Sequence, residues 1–124
     1  MSESEVPEVL HRYLAMWSER DDELRRTLLA ECVSDDVIFA DPNDYHEGRD
    51  ELFRNTRRFR KLFPGAELRR TSEVDIQNRR HRYTWRITLD GNVLMDGMDV
   101  TTINDDGRIE RIDGFFGPIR PLES

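Results

Sequence analysis

The chain has 124 residues, and its 19 basic and 26 acidic side chains give a formal charge of −7. This length suits a single domain, residues 1–124. Lys61 is the one lysine, and the acidic balance would repel a phosphate backbone, which excludes nucleic acid as an expected partner. No apolar run approaches the roughly 20 residues that a membrane span needs, and the N-terminus has no signal-peptide pattern. We therefore expect a cytoplasmic protein without a membrane partner.

Apolar periodicity predicts three amphipathic helices in the first half of the chain. The first helix places Tyr13 and Trp17 one turn apart on its buried face. A short strand follows the second helix, and a loop rich in Pro, Asn, Asp and Gly precedes the third. The predicted bounds are 6–20, 21–33 and 50–63 for the helices, 34–36 for a turn, 37–40 for the strand and 41–48 for the loop.

The second half of the chain loses the helical period and predicts antiparallel strands separated by turn sequences. Alternation is clearest after residue 80, where aromatic and aliphatic side chains share one face and arginines and threonines share the other. Because helices come first and strands last, the fold class is α+β. The predicted strands cover 67–77, 80–90, 92–104 and 108–116.

Two aspartates break the local rules, because Asp is depleted from strands and costly on a buried face. Asp41 ends the first strand, and Asp99 lies in the middle of the third predicted strand of the sheet. Without a bulge Asp99 faces the same way as its apolar neighbours, and Gly97 could mark a bulge that reverses this. Either the aspartates are surface carboxylates beside arginines, or they form a pair with separated pKa values inside a cavity. Tyr13 is a second donor in that cavity or a core tyrosine.

The order of several short motifs resembles the NTF2-like superfamily, and within it SnoaL-like proteins and ketosteroid isomerase. The motifs are Val-Ile-Phe-Ala-Asp-Pro at 37–42, Gly-Arg at 48–49, Phe-Pro-Gly at 63–65 and the glycine-bounded segment 107–117. The resemblance covers about residues 6–118. It implies a cone-shaped, strongly curved antiparallel sheet wrapped around three N-terminal helices, with an apolar pocket.

The resemblance also implies site residues. Tyr13 in Arg12-Tyr13 matches the isomerase's helix tyrosine, Asp41 in Asp41-Pro42 matches its general base, and Asp99, 18 residues before Gly117, matches its protonated aspartate. Asp41 would remove a proton beside a carbonyl, and Asp99 with Tyr13 would form the oxyanion hole. The family's epoxide hydrolases need an arginine where this chain has Gly97, so that reaction is disfavoured. SnoaL-type cyclases use a pocket acid, and Asp99 would serve.

The expected ligand is a small apolar carbonyl compound, converted by an isomerase or a polyketide cyclase without a cofactor. A homodimer is expected to form through the outer face of the sheet. The alternative is a non-catalytic module of the same fold that binds a small molecule or a protein partner. The residues expected to line the pocket are Trp17, Phe39, Phe59, Tyr83, Trp85, Met95, Thr101, Ile112 and Phe116.

Other titratable residues have structural interpretations. Cys32 is the only cysteine, which excludes an internal disulfide, and it is expected to be a small buried hydrophobe. His46 is expected to be solvated, with an acid or base at the lip of the pocket as the alternative, and His81 is expected to be packed or at a rim. The three histidines lack metal-ligand spacing, so no metal site is expected. The arginines of the third helix are expected to form a solvated face: Arg54, Arg57, Arg58 and Arg60.

Overall fold

The computed structural model describes residues 5–123, in which three helices pack against one curved, open sheet. The helices span Glu8–Met16 (α1), Asp22–Cys32 (α2) and Arg49–Leu62 (α3). The α1 helix buries Leu10, Tyr13 and Leu14 on one face. The α2 helix begins after Asp21, whose side chain accepts a hydrogen bond from the backbone of Leu24.

The strands are Val33–Ala40 (β1), Tyr45–Glu47 (β2), Glu67–Arg70 (β3), Asp75–Gln77 (β4), Arg80–Leu89 (β5), Asn92–Ile103 (β6) and Ile109–Phe116 (β7). The sheet has the strand order β2-β1-β7-β6-β5-β3, with β4 also paired to β5. The α+β class is confirmed, but the sheet is not wholly antiparallel, because β1 pairs with β7 in parallel. Tight turns dictate the antiparallel β5–β6–β7 order, whereas residues 41–108 separate β1 from β7 and leave their relative direction free.

Four predicted segments were wrong. The first helix, predicted over 6–20, spans only Glu8–Met16. The predicted turn at 34–36 belongs to β1, which starts directly after α2, and the predicted loop at 41–48 contains β2. The strand predicted over 67–77 is divided into β3 and β4. The Ser72 hydroxyl accepts the backbone N–H of Thr84 at 2.8 Å, so a side chain replaces a ladder carbonyl at the interruption.

The core fills the space between the helices and the concave face of the sheet. Cys32 is buried there, as predicted for a small hydrophobe. His81 is also buried, as the packed interpretation expected. The largest fully buried apolar side chains include Tyr13, Tyr83, Leu10, Met16, Leu29, Leu52, Ile109 and Ile112.

The prediction that Arg60 belongs to a solvated face was wrong. Its guanidinium is buried and donates to the carbonyl oxygens of Ala66 and Pro64 at 2.7 and 2.6 Å, at the end of its own helix. His46 is also only partly exposed, because its ring lies 6.3 Å from that of Phe39.

Within residues 5–123, no helix has the length and apolarity needed to cross a membrane.

Candidate active site

A cavity of about 250 Å³ lies between the helices and the concave face of the sheet. Its walls are mainly aromatic and aliphatic, with a few polar side chains, which is the usual composition of a small-molecule site. The lining residues are Tyr13, Trp17, Phe39, Asp41, Asn43, Asp44, Asn55, Phe59, Phe63, Leu68, Trp85, Ile87, Leu94, Met95, Asp99, Gly114 and Phe116.

Asp99 faces this cavity because β6 keeps its register across Gly97. Gly97 pairs with Trp85 and Asp99 pairs with Tyr83, without a shift between them. The irregularity in this pairing lies nearer the turn, at Leu94, so the suggestion of a bulge at Gly97 was wrong. Gly97 makes room for an aromatic ring, since a Cβ there would lie 2.1 Å from the indole of Trp85.

The Asp99 carboxyl accepts one hydrogen bond on each oxygen. The indole N–H of Trp85 donates to Oδ1 at 3.0 Å, and the Tyr83 hydroxyl donates to Oδ2 at 3.2 Å. Burial, with the nearby charge of Asp41 acting in the same direction, raises the pKa of Asp99 to about 7 against the opposing effect of these two donors. A carboxyl with this pKa is close to half protonated at neutral pH, so it can donate or accept a proton there.

The Tyr13 hydroxyl is the second polar group in this part of the wall. Tyr13 is 0% exposed, and its hydroxyl has no hydrogen-bond partner within residues 5–123. Burial, followed by the negative charge of Asp99, raises its pKa well above 10, while the neighbouring Trp17 indole acts in the opposite direction. The Trp17 indole is therefore close but does not satisfy the hydroxyl by hydrogen-bond geometry. Buried hydroxyls are nearly always paired, so an unpaired one in the wall of a cavity is a candidate hydrogen-bond donor to a ligand.

Asp41 follows β1 and is held by a turn of its own loop. Its Oδ1 accepts the backbone N–H groups of Asn43 and Asp44 at 2.9 and 2.8 Å. Burial raises the pKa of Asp41 above 3.8, and the two backbone donors oppose that rise by stabilising the ionised form.

Gly114 brings the two aspartates together. A Cβ at position 114 would lie 2.9 Å from Asp99 Oδ1 and 3.4 Å from the Cβ of Asp41, so both residues occupy the space that a side chain would need. The structure thus brings Tyr13, Asp41 and Asp99 to one cavity.

Of the nine residues expected to line the pocket, six do so, and Tyr83, Thr101 and Ile112 do not. Each of these three lies two residues deeper on its strand than a lining residue: Trp85, Asp99 or Gly114. All three are at most 1% exposed, because the core is solid at that level. Tyr83 still matters to the site, since it donates to Asp99 and exchanges a 2.9 Å hydrogen bond with Thr101.

Sequence reasoning missed four polar or small residues of the site: Asn43, Asp44, Asn55 and Gly114. Asn55 occupies a position of the α3 stripe that is otherwise apolar, three residues after Leu52 and four before Phe59, and this was an available signal. Asp44 gave no signal, because a turn-rich loop explains an aspartate without a function.

The fold and this site define the class of protein. The family model of the SnoaL-like domain matches residues 10–112, and the chain belongs to that family.

Among solved structures, the chain is similar to a protein from Agrobacterium tumefaciens provisionally described as an isomerase of the SnoaL-like family. The two are 30% identical with a TM-score of 0.84, over 89% of this chain and 95% of that one. A provisional polyketide cyclase from Sinorhizobium meliloti is 17% identical, with a TM-score of 0.73 over 92% and 99% of the two chains. An NTF2-like protein of unknown function from an Exiguobacterium species is 21% identical, with a TM-score of 0.73 over 90% and 99%. The curated proteins contain no match to this chain.

Proposed function

We propose that this chain is an enzyme that transfers protons on a small, largely apolar carbonyl compound, as an isomerase or a polyketide-type cyclase. The observation that carries the proposal is the meeting of an unpaired Tyr13 hydroxyl and a carboxyl of raised pKa, Asp99, with a second carboxyl, Asp41, in one apolar cavity. Perturbed titratable groups that converge in a cavity are typical of catalytic sites. The provisional names of the similar structures, isomerase and polyketide cyclase, agree with this class of reaction.

In the proposed mechanism Asp41 is the base. Its ionised carboxylate takes a proton from the carbon that lies between the substrate carbonyl and a carbon–carbon double bond. The electron pair of the C–H bond forms a double bond to the carbonyl carbon, and the C=O π electrons move onto the oxygen. Protonated Asp99 and the Tyr13 hydroxyl donate hydrogen bonds to that oxygen as negative charge develops on it. The carbonyl then re-forms and Asp41 returns the proton to the far carbon of the original double bond, so the double bond moves into conjugation without a net change in protons.

A cyclase mechanism is the second candidate, and the pKa of about 7 at Asp99 favours it. A single group that titrates near neutral pH can act as base and then as acid. Asp99 would remove the proton beside one carbonyl, and the resulting carbanion would attack a second carbonyl of the same chain. The new alkoxide would then take the proton back from Asp99.

Deuterium exchange tests the proposal without knowledge of the natural substrate. Small bicyclic ketones such as decalone are incubated in D2O with the protein, and loss of the α-proton signal is followed by NMR. We expect catalysed exchange that Asp41→Asn slows by about 10²–10⁴-fold, the usual contribution of a general base. If Asp99→Asn stops exchange while Asp41→Asn does not, the single-acid cyclase mechanism replaces the first.

Asp113→Asn is the matched control for charge. Asp113 lies beside Ala40 in the sheet but outside the cavity, and it pairs with Arg111 at 3.0 Å. Its loss removes one negative charge near the site, so exchange should stay within about threefold of the unaltered rate. Absence of exchange with every ketone tried would contradict the enzyme proposal and leave a non-catalytic binding module.

The cytoplasmic location and the homodimer stay proposals. The outer face of the sheet supports the latter, because Phe115 on β7 is 57% exposed there. Sedimentation of the unaltered protein and of Phe115→Glu tests it, since a dimer through this face should dissociate when a charge replaces the ring.

A further inference from the structure

The cavity has one polar side chain on its helical wall that the proposed mechanism does not use. Asn55 of α3 lines the cavity and is 7% exposed, so its amide is almost entirely removed from bulk water. An unpaired buried amide group is costly, which makes its hydrogen-bond partners informative.

Arg58 fixes the direction of this amide. Its Nη2 donates to Asn55 Oδ1 at 2.8 Å and to Asp44 Oδ1 at 2.7 Å. Because a guanidinium can only donate, the amide atom that faces Arg58 must be the oxygen. Asn55 therefore cannot turn its oxygen elsewhere without the loss of this bond, and its NH2 group occupies the other branch of the amide.

The NH2 group of Asn55 has no hydrogen-bond partner within residues 5–123. Its nitrogen is also not among the fully buried atoms that lack a partner, so it keeps some accessible surface. Because Asn55 is 7% exposed and lines the cavity, we assign this accessible surface of its NH2 group to the cavity. It presents two N–H donors and no acceptor to a bound molecule.

We propose that Asn55 binds a second acceptor oxygen of the ligand, so that the substrates are carbonyl compounds with another carbonyl, ester or ether oxygen. The inference rests on the proposed function for the first carbonyl, which the Tyr13 and Asp99 wall receives. The other cavity walls are mainly aromatic and aliphatic, and a cavity of about 250 Å³ exceeds the roughly 150 Å³ that holds one benzene ring. A compact carbon skeleton that carries two acceptor oxygens fits this lining.

Tryptophan fluorescence measures binding directly, because both tryptophans of the chain, Trp17 and Trp85, line the cavity. The probes are decalones and decalindiones, which share one carbon skeleton and differ in the second oxygen. We expect at least one dione to bind more tightly than its monoketone, by about 3–10-fold, the typical effect of one hydrogen bond. Asn55→Leu, of similar size, should remove this preference and leave monoketone affinity within about twofold.

A second variant keeps the test informative if Asn55→Leu folds poorly. Asn55→Asp keeps the shape but replaces the donor with an acceptor, so it should bind the dione less tightly than the monoketone. Arg58→Met should reduce the dione preference as well, because the amide loses its fixed direction. Arg54→Met, an exposed arginine on the same helix, is the matched control and should leave the preference unchanged.

Several results would overturn the inference. Equal loss of affinity for both probes in Asn55→Leu would make Asn55 merely structural, and an unchanged dione preference would exclude its contact with the ligand. Absence of binding by either probe class would reject the ketone ligands and this inference together. A dione preference that depends on Asn55, in a protein that catalyses no α-proton exchange, would support the inference while the proposed enzyme activity fails.

Discussion

The fold buries polar side chains in two regions and treats their hydrogen-bonding atoms in opposite ways. Between α2 and α3, Arg25 is 0% exposed, and its donors reach the Thr56 hydroxyl, the Glu19 carbonyl and the Asp22 carboxylate at 3.0, 3.0 and 2.6 Å. The bond from Arg25 also lowers the pKa of Asp22. A buried cation is tolerated here because its partners are built into the fold.

The cavity region is the opposite case. The Tyr13 hydroxyl lacks a partner within the described chain, and Asp99 keeps a pKa of about 7 although two donors favour its ionised form. The protein leaves these groups incompletely satisfied, which costs stability. The comparison teaches that burial of a polar group does not by itself indicate function, whereas burial without full pairing in the wall of a cavity does.

The largest effect that tests this contrast is the loss of the unpaired hydroxyl. Tyr13→Phe should lower the rate of ketone α-proton exchange by about 10²–10³-fold, since it removes one donor to the developing oxyanion. It should not lower the free energy of unfolding, because the hydroxyl makes no hydrogen bond in the fold. Paired exchange assays and urea unfolding check both statements. A stability loss above about 1 kcal/mol, with the rate preserved, would show that the hydroxyl is structural.

The satisfied arginine should behave in the reverse manner. Arg25→Met removes donors to three acceptors, and we expect the free energy of unfolding to fall by about 1–3 kcal/mol. Exchange per folded molecule should stay within about threefold, since Arg25 is remote from the cavity lining.

Arg26→Met is the control for the arginine pair, because exposed Arg26 stacks on the Phe53 ring at 4.0 Å, as Arg25 does at 5.3 Å. Its loss should cost about 0.5–1 kcal/mol. If urea unfolding found the two arginine variants equally stable, the buried hydrogen bonds of Arg25 would contribute nothing beyond the shared stacking.

The exchange rate should fall both above pH 7 and at low pH. Above pH 7 Asp99 loses the proton that it donates, so the exchange rate should fall by up to tenfold per pH unit. At low pH Asp41 gains a proton and can no longer act as base, and this loss should begin above pH 3.8. Tyr13 stays protonated throughout because its pKa is raised. A rate that keeps rising to pH 9 would contradict the role of protonated Asp99.

The raised pKa of Asp99 should also make stability depend on pH. Between pH 3.8 and about 7 the folded protein keeps the Asp99 proton, whereas the unfolded chain releases it. The free energy of unfolding therefore falls as pH rises through this range. Asp99→Asn removes that loss, and at pH 8 it should be more stable than the unaltered protein by about 1–3 kcal/mol. Near pH 4 the difference should disappear. Urea unfolding at both pH values measures it, and a less stable variant at pH 8 would contradict the pKa.

Much of this arrangement could be predicted from sequence, for reasons that are local. Helical and strand periods are set by residues a few positions apart, so the three helices and β5 to β7 were found. Asp99 was identified because an acidic residue in an apolar strand breaks a local rule. The same reasoning could not find the parallel pairing of β1 with β7, which depends on contacts across most of the chain.

The errors at Arg60 and Asn55 have a related cause. A charge on a helix is normally solvated, and only the folded chain brings the carbonyls of Pro64 and Ala66 within reach of Arg60. Asn55 was missed because its apolar neighbours explained the helix without it. Its value depends on Arg58 and on the cavity, neither of which is visible in the local pattern.

The central claim is that Asp99 shares a proton near neutral pH inside the cavity. The most direct measurement is a titration of the Asp99 side-chain carboxyl by carbon NMR, with Asp99→Asn to assign the signal. We predict a midpoint of about 7. A midpoint near 3.9, the value of an unperturbed aspartate, would contradict the account, since Asp99 would then be fully ionised and could not donate a hydrogen bond to the substrate.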